Sequence, residues 1–529
     1  MMTHQLLAPL SGLSSDLLSA LPTFSSIFYV GLAAFFSLWA MRRFSSHPRN
    51  LPYPPGPPSK SFILGNAADL SDSKLWFPMV NWASIYGPIM YFRSLNKHII
   101  VLNTEEDATE LLEKRSSIFS DRSYFPLIDL VGWTFSTPFK HYGSEWQRHR
   151  RFLQQMFRAG ALVQYRGVQI EKVNDMMHSI YEAPEDFMTH VKTYSTAIVM
   201  SAMYGYKVSP KDDYFTQLAE DAMVVLSVSS YPGASIVNIL PFLRYLPSWF
   251  PGAGFHRTAK VGLNTVTRMQ DVPYKYVQDN MAAGTALPSF VSENIENCKT
   301  EDDHKLLKAI AATGYAGGAD TTTASIIAFI HAMAEFPEVQ RKAQEEIDRV
   351  IGHDKLVTFE DEASLPYIHA ICREVFRWRP VTPLGNFHAS IAEDVYKGYY
   401  IPKGTTIIPN IWAMSRNSEK YKDPERFDPD RFFTESGELN KDDVNYTFGF
   451  GRRICPGRHM AFATVWLAIA STLSAFDIRP SKDASGKNDP LKVEYSGGMI
   501  SHPLPFECSI APRSERMKQL LIDLNNNRM

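Results

Sequence analysis

The segment FGFGRRICPG, Phe448 to Gly457, sets one cysteine among three glycines and two arginines, directly ahead of the run RHMAFATVWLAIASTLSAF. Gly449 and Gly451 permit φ > 0 and let backbone approach a flat ligand closely. The run after Gly457 reads as a helix. Cys455 therefore stands at a helix N-terminus, where free N–H groups and the dipole favour a thiolate. Arg453 adds a nearby cation. These features describe a thiolate metal ligand at the edge of a buried helix. A small apolar core cysteine fits the same glycines, and the segment alone leaves both readings open.

Outward from that loop, the chain has 529 residues and 4 cysteines, the others being Cys298, Cys372 and Cys508. No CxxC pair exists, which excludes a disulfide scaffold and the common multi-cysteine zinc modules. With 54 Lys+Arg against 56 Asp+Glu the net charge is −2, so no global field holds nucleic acid. Hydrophobic residues at 45% and charged residues at 21% are ordinary for a globular enzyme.

From Phe24 to Met41 the chain reads FSSIFYVGLAAFFSLWAM, 18 residues without a charge. That length is enough to span a bilayer. No Lys or Arg precedes it, whereas Arg42, Arg43 and Arg49 follow, so the positive-inside rule puts the body in the cytosol. The expected organisation is a short lumenal N-terminus (1–23), a transmembrane anchor (24–41), a basic and Pro-rich linker (42–58) and one catalytic domain (59–529).

Within that domain, strand-like runs occur at Ile89–Phe92, His98–Leu102, Tyr399–Pro402 and Thr405–Pro409. Most other stretches have helical periodicity, as in Val339–Val350 and Tyr367–Arg377. The fold class expected is mainly α with a minor β-sheet. The apolar run Leu306–Ala334 carries Asp320 near its middle and reads as a buried globular spine, because a central acid is costly in lipid.

FGFGRRICPG also matches FxxGxRxCxG, the haem-binding signature of the cytochrome P-450 superfamily, at every fixed position. The chain resembles that family along nearly its whole length. The resemblance implies that Cys455 is the axial ligand of a haem b iron, a ligand that favours O–O cleavage. Arg453 would contact a haem propionate, Phe448 would shield the sulfur, and Gly457 would complete the cofactor loop. Trp146 and Arg150, in a WxxxR match, and His388 would serve as further propionate contacts. Glu374 and Arg377 match ExxR, and the resemblance pairs them with Arg426 of a PERF segment as a structural lock. Asp320 and Thr321, in GGADTT, match the acid–threonine pair that relays protons and holds dioxygen.

The family's substrate-facing segments correspond here to Tyr124, Phe125, Leu127, Phe135, Gly317, Val381, Leu384, Met499 and Ile500, an apolar lining. LPSWFPGAGF and the cysteine loop look like basidiomycete-type enzymes of secondary metabolism. What this implies is an endoplasmic-reticulum monooxygenase acting on a hydrophobic small molecule, terpenoid or else polyketide- or indole-derived. Electrons would come from NADPH through a cytochrome reductase, with cytochrome b5 as a second donor. A basic helix at Arg148–Arg158 is either a solvated face or the docking patch for that reductase. Two rivals remain: a haem-thiolate isomerase or dehydratase needing no O2, and a non-enzymatic haem sensor or carrier.

Overall fold

The computed structural model describes residues 51–353, 355–481 and 491–526. The expected anchor at 24–41 lies outside the described residues. Among those described, no helix is long and apolar enough to cross a membrane.

Helix α1 (Trp76–Tyr86) leads into the hairpin β1 (Ile89–Ser94) and β2 (Lys97–Leu102), and later into the short strand β3 (Asp121–Arg122). Helices α2 (Ser144–Phe157), α3 (Arg166–Glu182), α4 (Phe187–Tyr204), α5 (Tyr214–Ser229) and α6 (Phe255–Ala282) precede the long α7 (Glu301–Glu335). After α8 (Pro337–Val350) and α9 (Pro366–Trp378) come β4 (His388–Ala389), β5 (Asp394–Tyr396), β6 (Tyr399–Ile401) and β7 (Thr406–Pro409). The chain closes with α10 (Arg458–Ala475), β8 (Phe476–Pro480), β9 (Cys508–Pro512) and α11 (Glu515–Asn526). The mainly helical expectation holds, with small sheets at the margin.

Two units separate along the chain. In the smaller, residues 395–400 meet the start of the described chain: the Tyr400 N–H donates to the Pro52 carbonyl at 2.9 Å. The larger holds residues 54–394 and those from 401 on. The proline-rich stretch expected to act as a linker up to residue 58 behaves differently from Pro54. There it lies along β1, with the Pro55 carbonyl accepting from the Tyr91 N–H at 2.9 Å.

The main sheet runs β1-β2-β7-β4-β3, with only the β2–β7 pair parallel. Its far edge matters most. The antiparallel β3–β4 register sets Arg122 directly opposite His388.

Two helices need explanation. α7 starts with a capping box, Thr300 accepting from the Asp303 N–H while Asp303 bonds back to the Thr300 N–H. Its glycines do different jobs. A Cβ at Gly314 would strike Met203, and one at Gly318 would press on Val199 at 3.0 Å, so both allow α4 to pack closely. A Cβ at Gly317 would meet nothing within 4 Å, so that face opens onto free space. α9 begins at Pro366, where the buried Glu346 carboxylate of α8 accepts the N–H groups of Tyr367 at 3.0 Å and Ile368 at 3.2 Å. That cap fixes the entry of the helix that carries Glu374 and Arg377.

Candidate haem site

The cysteine loop is shaped by positive-φ turns. Val444, Gly449 and Gly451 have φ of 49°, 87° and 52°. The expected conformational freedom is used, but the close approach at Gly451 is to protein: an added methyl would fall onto the Leu112 carbonyl and the Glu113 backbone. Replacing Gly451 by alanine combines that clash with a strained φ. We expect loss of soluble, haem-competent protein, whereas Gly449→Ala, with nothing nearer than 4.0 Å, should be milder. Haem content per polypeptide measures the difference.

The Cys455 N–H donates to the Phe448 carbonyl at 2.8 Å, closing the loop. The Phe448 ring packs edge-on against Phe376 of α9 at 5.1 Å, tying the loop to that helix. Cys455 keeps some accessible surface but sits deep among protein atoms. Burial pushes its thiol pKa up. The Gly457 and Arg458 N–H groups at the start of α10 pull it down, as do the Arg150 and Arg458 guanidiniums. Burial dominates, contrary to the expectation of a thiolate favoured by the helix end and Arg453, and the charges that act on the thiol are those of Arg150 and Arg458. A bound cation is what would complete the ionisation. A Cβ at Gly457 would lie 3.9 Å from the sulfur, so glycine keeps that side clear.

Around the loop the structure gathers cations. Arg453 donates to the carbonyls of Ser120 at 2.7 Å and Lys140 at 2.9 Å, and its guanidinium lies 4.4 Å over the Trp146 ring. Arg150, one turn further along α2, donates to the Ile454 carbonyl. Arg122, absent from the sequence expectations, is fully enclosed and donates to Pro138 at 2.8 Å and Asn386 at 2.8 Å. Burial lowers the Arg453 pKa to about 10, and burial with repulsion from Arg453 lowers that of Arg122. The carboxylate acting on both is Asp121, already engaged by the Tyr142 N–H at 2.8 Å and by His141. One Arg453 terminal nitrogen, Nη1, is buried without a partner. Clustered guanidiniums with an unanswered N–H call for anions from outside the chain. The two propionates of haem are such anions, so the residues present fit the group.

His388 shares this neighbourhood through the β3–β4 register. Burial, then Arg122, hold its pKa well below the usual value, and Nδ1 lies 2.8 Å from the Phe119 carbonyl. In the neutral ring Nδ1 is the donor to that carbonyl and Nε2 an acceptor. Donation from Nε2 to a carboxylate therefore requires a second proton.

The expected lock is partly redrawn. Glu374 takes Arg377 bidentately at 2.6 and 2.8 Å, both side chains fully buried. Arg377 also donates to the carbonyls of Ser415 at 2.7 Å and Pro424 at 2.9 Å. The second guanidinium is that of Arg431, 3.2 Å from Glu374 Oε1, and not that of Arg426. Arg426 supplies only its backbone carbonyl, while its side chain pairs with Glu338 at the surface. The reason is local. The Asp428 N–H bonds Glu374 at 2.8 Å, which lays the turn Pro429–Phe432 over α9 and delivers Arg431 to the carboxylate.

On α7 the Thr321 hydroxyl donates to the Gly317 carbonyl at 2.6 Å, a turn back, and the helix continues unbroken. Asp320 Oδ2 lies 3.1 Å from His502 Nε2. A cleft gathers Phe125, Leu384 and Met499 from the expected lining and adds Phe139, Tyr231 and Phe387. Its walls adjoin the cationic cluster, since Phe387 precedes His388 and Phe139 precedes Lys140. Tyr124 does not join it: exposed, its hydroxyl donates to Asp129 at 3.1 Å beside Arg244. Leu127 and Ile500 are buried, and Phe135 stacks on Trp133 at 5.4 Å. The Val381 carbonyl holds the Ser501 N–H at 2.8 Å. Tyr231 was not foreseen, because its segment carries no motif, only a helix-ending SSYPG run.

A family described as Cytochrome P450 matches residues 54–509. A cytochrome P450 monooxygenase of Postia placenta, number 208, is 37% identical over 90% of this chain and 93% of its own length. The monooxygenase COX1 of Coprinopsis cinerea is 36% identical over 93% of this chain and 97% of its own. The monooxygenase ple1 of Rhodocybe pseudopiperita is 38% identical, covering 88% and 91%.

Proposed function

Because this chain belongs to the cytochrome P450 family, we propose that it is a membrane-anchored monooxygenase that inserts one oxygen atom into a hydrophobic secondary metabolite. The observation that carries the reading is the pair of buried guanidiniums Arg122 and Arg453, with the partly buried Arg150 bonded to the cysteine loop and Arg453 Nη1 unanswered. Haem held there by Cys455 would supply reductive activation of dioxygen, and a cysteine thiolate is the ligand suited to that chemistry. Arg453 and Arg122 would hold the propionates, and Trp146 backs the Arg453 guanidinium. Thr321 and Asp320 then hold and pass protons beside the open face at Gly317. This acid–alcohol pair weighs against a reaction needing no O2.

The terpenoid class rests on the resemblance of LPSWFPGAGF and the cysteine loop to basidiomycete secondary-metabolism enzymes, and the Phe125, Phe139, Leu384, Phe387 and Met499 side chains add an apolar surface at one cleft. Arg148, Arg151 and Arg158 are exposed around α2, the helix whose inner side carries Trp146. That placement supports docking of an acidic reductase close to the cofactor. Membrane anchoring rests on residues 24–41, and exposed Trp249 and Phe242 suit a lipid headgroup region. The test is full-length protein in microsomes with a matched reductase and NADPH, offered a panel of terpenes, polyketides and indoles. Products heavier by one oxygen from the terpene set support the reading. Turnover confined to polyketides or indoles would replace the substrate class.

A further inference from the structure

Asp320 does not stand alone on α7. Its Oδ2 lies 3.1 Å from Nε2 of His502, which comes from the turn after the cleft residue Met499. That turn is held firmly. The His502 N–H donates to Ser496 Oγ at 3.0 Å, and the His502 carbonyl accepts the Ser496 N–H at 2.8 Å. Ser501 ties the same turn to Val381 at 2.8 Å, so the imidazole is presented to Asp320 by a braced backbone. The side chains of His502 and Asp320 remain 27% and 22% accessible, which leaves the pair a route to water. The next residue on the helix is Thr321, bonded back to the Gly317 carbonyl beside the open face.

We propose that His502 is a positioning residue that holds Asp320 and recharges it with protons from water. In that exchange the imidazolium form of His502 gives its Nε2 proton to the Asp320 carboxylate, leaving a neutral ring and a carboxylic acid, and hydronium from bulk water reprotonates the ring, so charge and protons balance. An isolated carboxylate on α7 would have to collect protons unaided. With His502 its orientation and its supply come from one partner on a separate, braced element. The inference rests on the monooxygenase reading and adds to it a residue outside the recognised motifs.

The test uses the haem-loaded full chain with reductase and a turned-over substrate. His502→Ala, His502→Gln, Asp320→Asn and the His502→Ala/Asp320→Asn double variant are compared, with the reduced CO spectrum confirming intact haem in each. We expect His502→Ala to lower product formed per NADPH about tenfold or more, the electrons appearing as hydrogen peroxide, with a larger solvent hydrogen isotope effect. His502→Gln keeps a hydrogen-bond donor but no transferable proton, and should stay low. Adding His502→Ala to Asp320→Asn should cost nothing further. A melting-temperature cycle over the same variants needs no turnover and should be non-additive.

Unchanged product per NADPH in His502→Ala, with only substrate affinity altered, would overturn the inference and leave His502 a brace for the turn. Losses that multiply in the double variant, or an additive melting cycle, would overturn it equally. Absence of NADPH-dependent oxygenation by the unmodified protein would instead sink the functional reading, while the melting cycle still decides the pairing.

Discussion

Cys455→Ser protein should fold and yet lose the thiolate-type Soret shift of the reduced, CO-bound form, together with all oxygenation. The four cysteines are unequal in their surroundings. Cys372 is fully buried on α9, and burial holds its pKa well up, as expected of a packing residue. Burial likewise pushes Cys508 up to about 12. Cys455 alone has the N–H groups of Gly457 and Arg458 and two guanidiniums working against its burial. Serine keeps the loop, because the structural bond from residue 455 to Phe448 is made by the backbone. What disappears is the soft donor that pushes electron density to iron. A variant with an unchanged spectrum would assign the ligand elsewhere.

The second large effect concerns the lock beneath the loop. Glu374→Gln or Arg377→Ala should prevent haem-containing protein from accumulating, because each strands a partner with no access to water. Breaking one member of a buried pair costs about 3–5 kcal/mol, a large share of a domain's stability. Burial pushes the Glu374 carboxyl up in pKa, and Arg377, Arg431 and the Asp428 N–H pull against it. Removing Arg431 should therefore be damaging as well. Arg426→Ala should do little, since its guanidinium is 55% exposed and pairs with a surface Glu338. Exposed pairs contribute only about 0–1 kcal/mol. Denaturation midpoints should rank Arg426→Ala nearest the unmodified protein and Arg431→Ala well below it. The reverse order would restore Arg426 to the lock.

That reversal of roles marks where the sequence is legible. Glu374 and Arg377 sit three apart on one helix, so their meeting follows from helical geometry. Arg431 reaches Glu374 across a loop whose path is set by the Asp428 N–H, and no local periodicity encodes such a path. Arg122 is hidden for a similar reason. It occupies a two-residue strand, and only the pairing of β3 with β4 brings it beside His388. The cysteine loop was readable because its working groups are contiguous and its glycines carry a conformational requirement met in the structure. In α7 the glycine pair was visible, but their division of labour was not. Gly318 faces α4 and Gly317 faces free space, a difference of one helical step that depends on where the neighbouring helix lies. Tyr124 shows the opposite failure. Its place in a pocket-forming segment suggests a lining role, yet Asp129 and Arg244 draw its hydroxyl to the surface.

We propose that this chain inserts one atom of dioxygen into an apolar substrate, using electrons delivered from NADPH. Mass spectrometry of product formed under isotopically heavy dioxygen, with full-length protein and reductase in membranes, tests it most directly. One heavy oxygen atom per product molecule is expected, and no product without NADPH. Unlabelled product that forms equally well without NADPH would contradict it, and would make the protein a haem-thiolate isomerase or dehydratase.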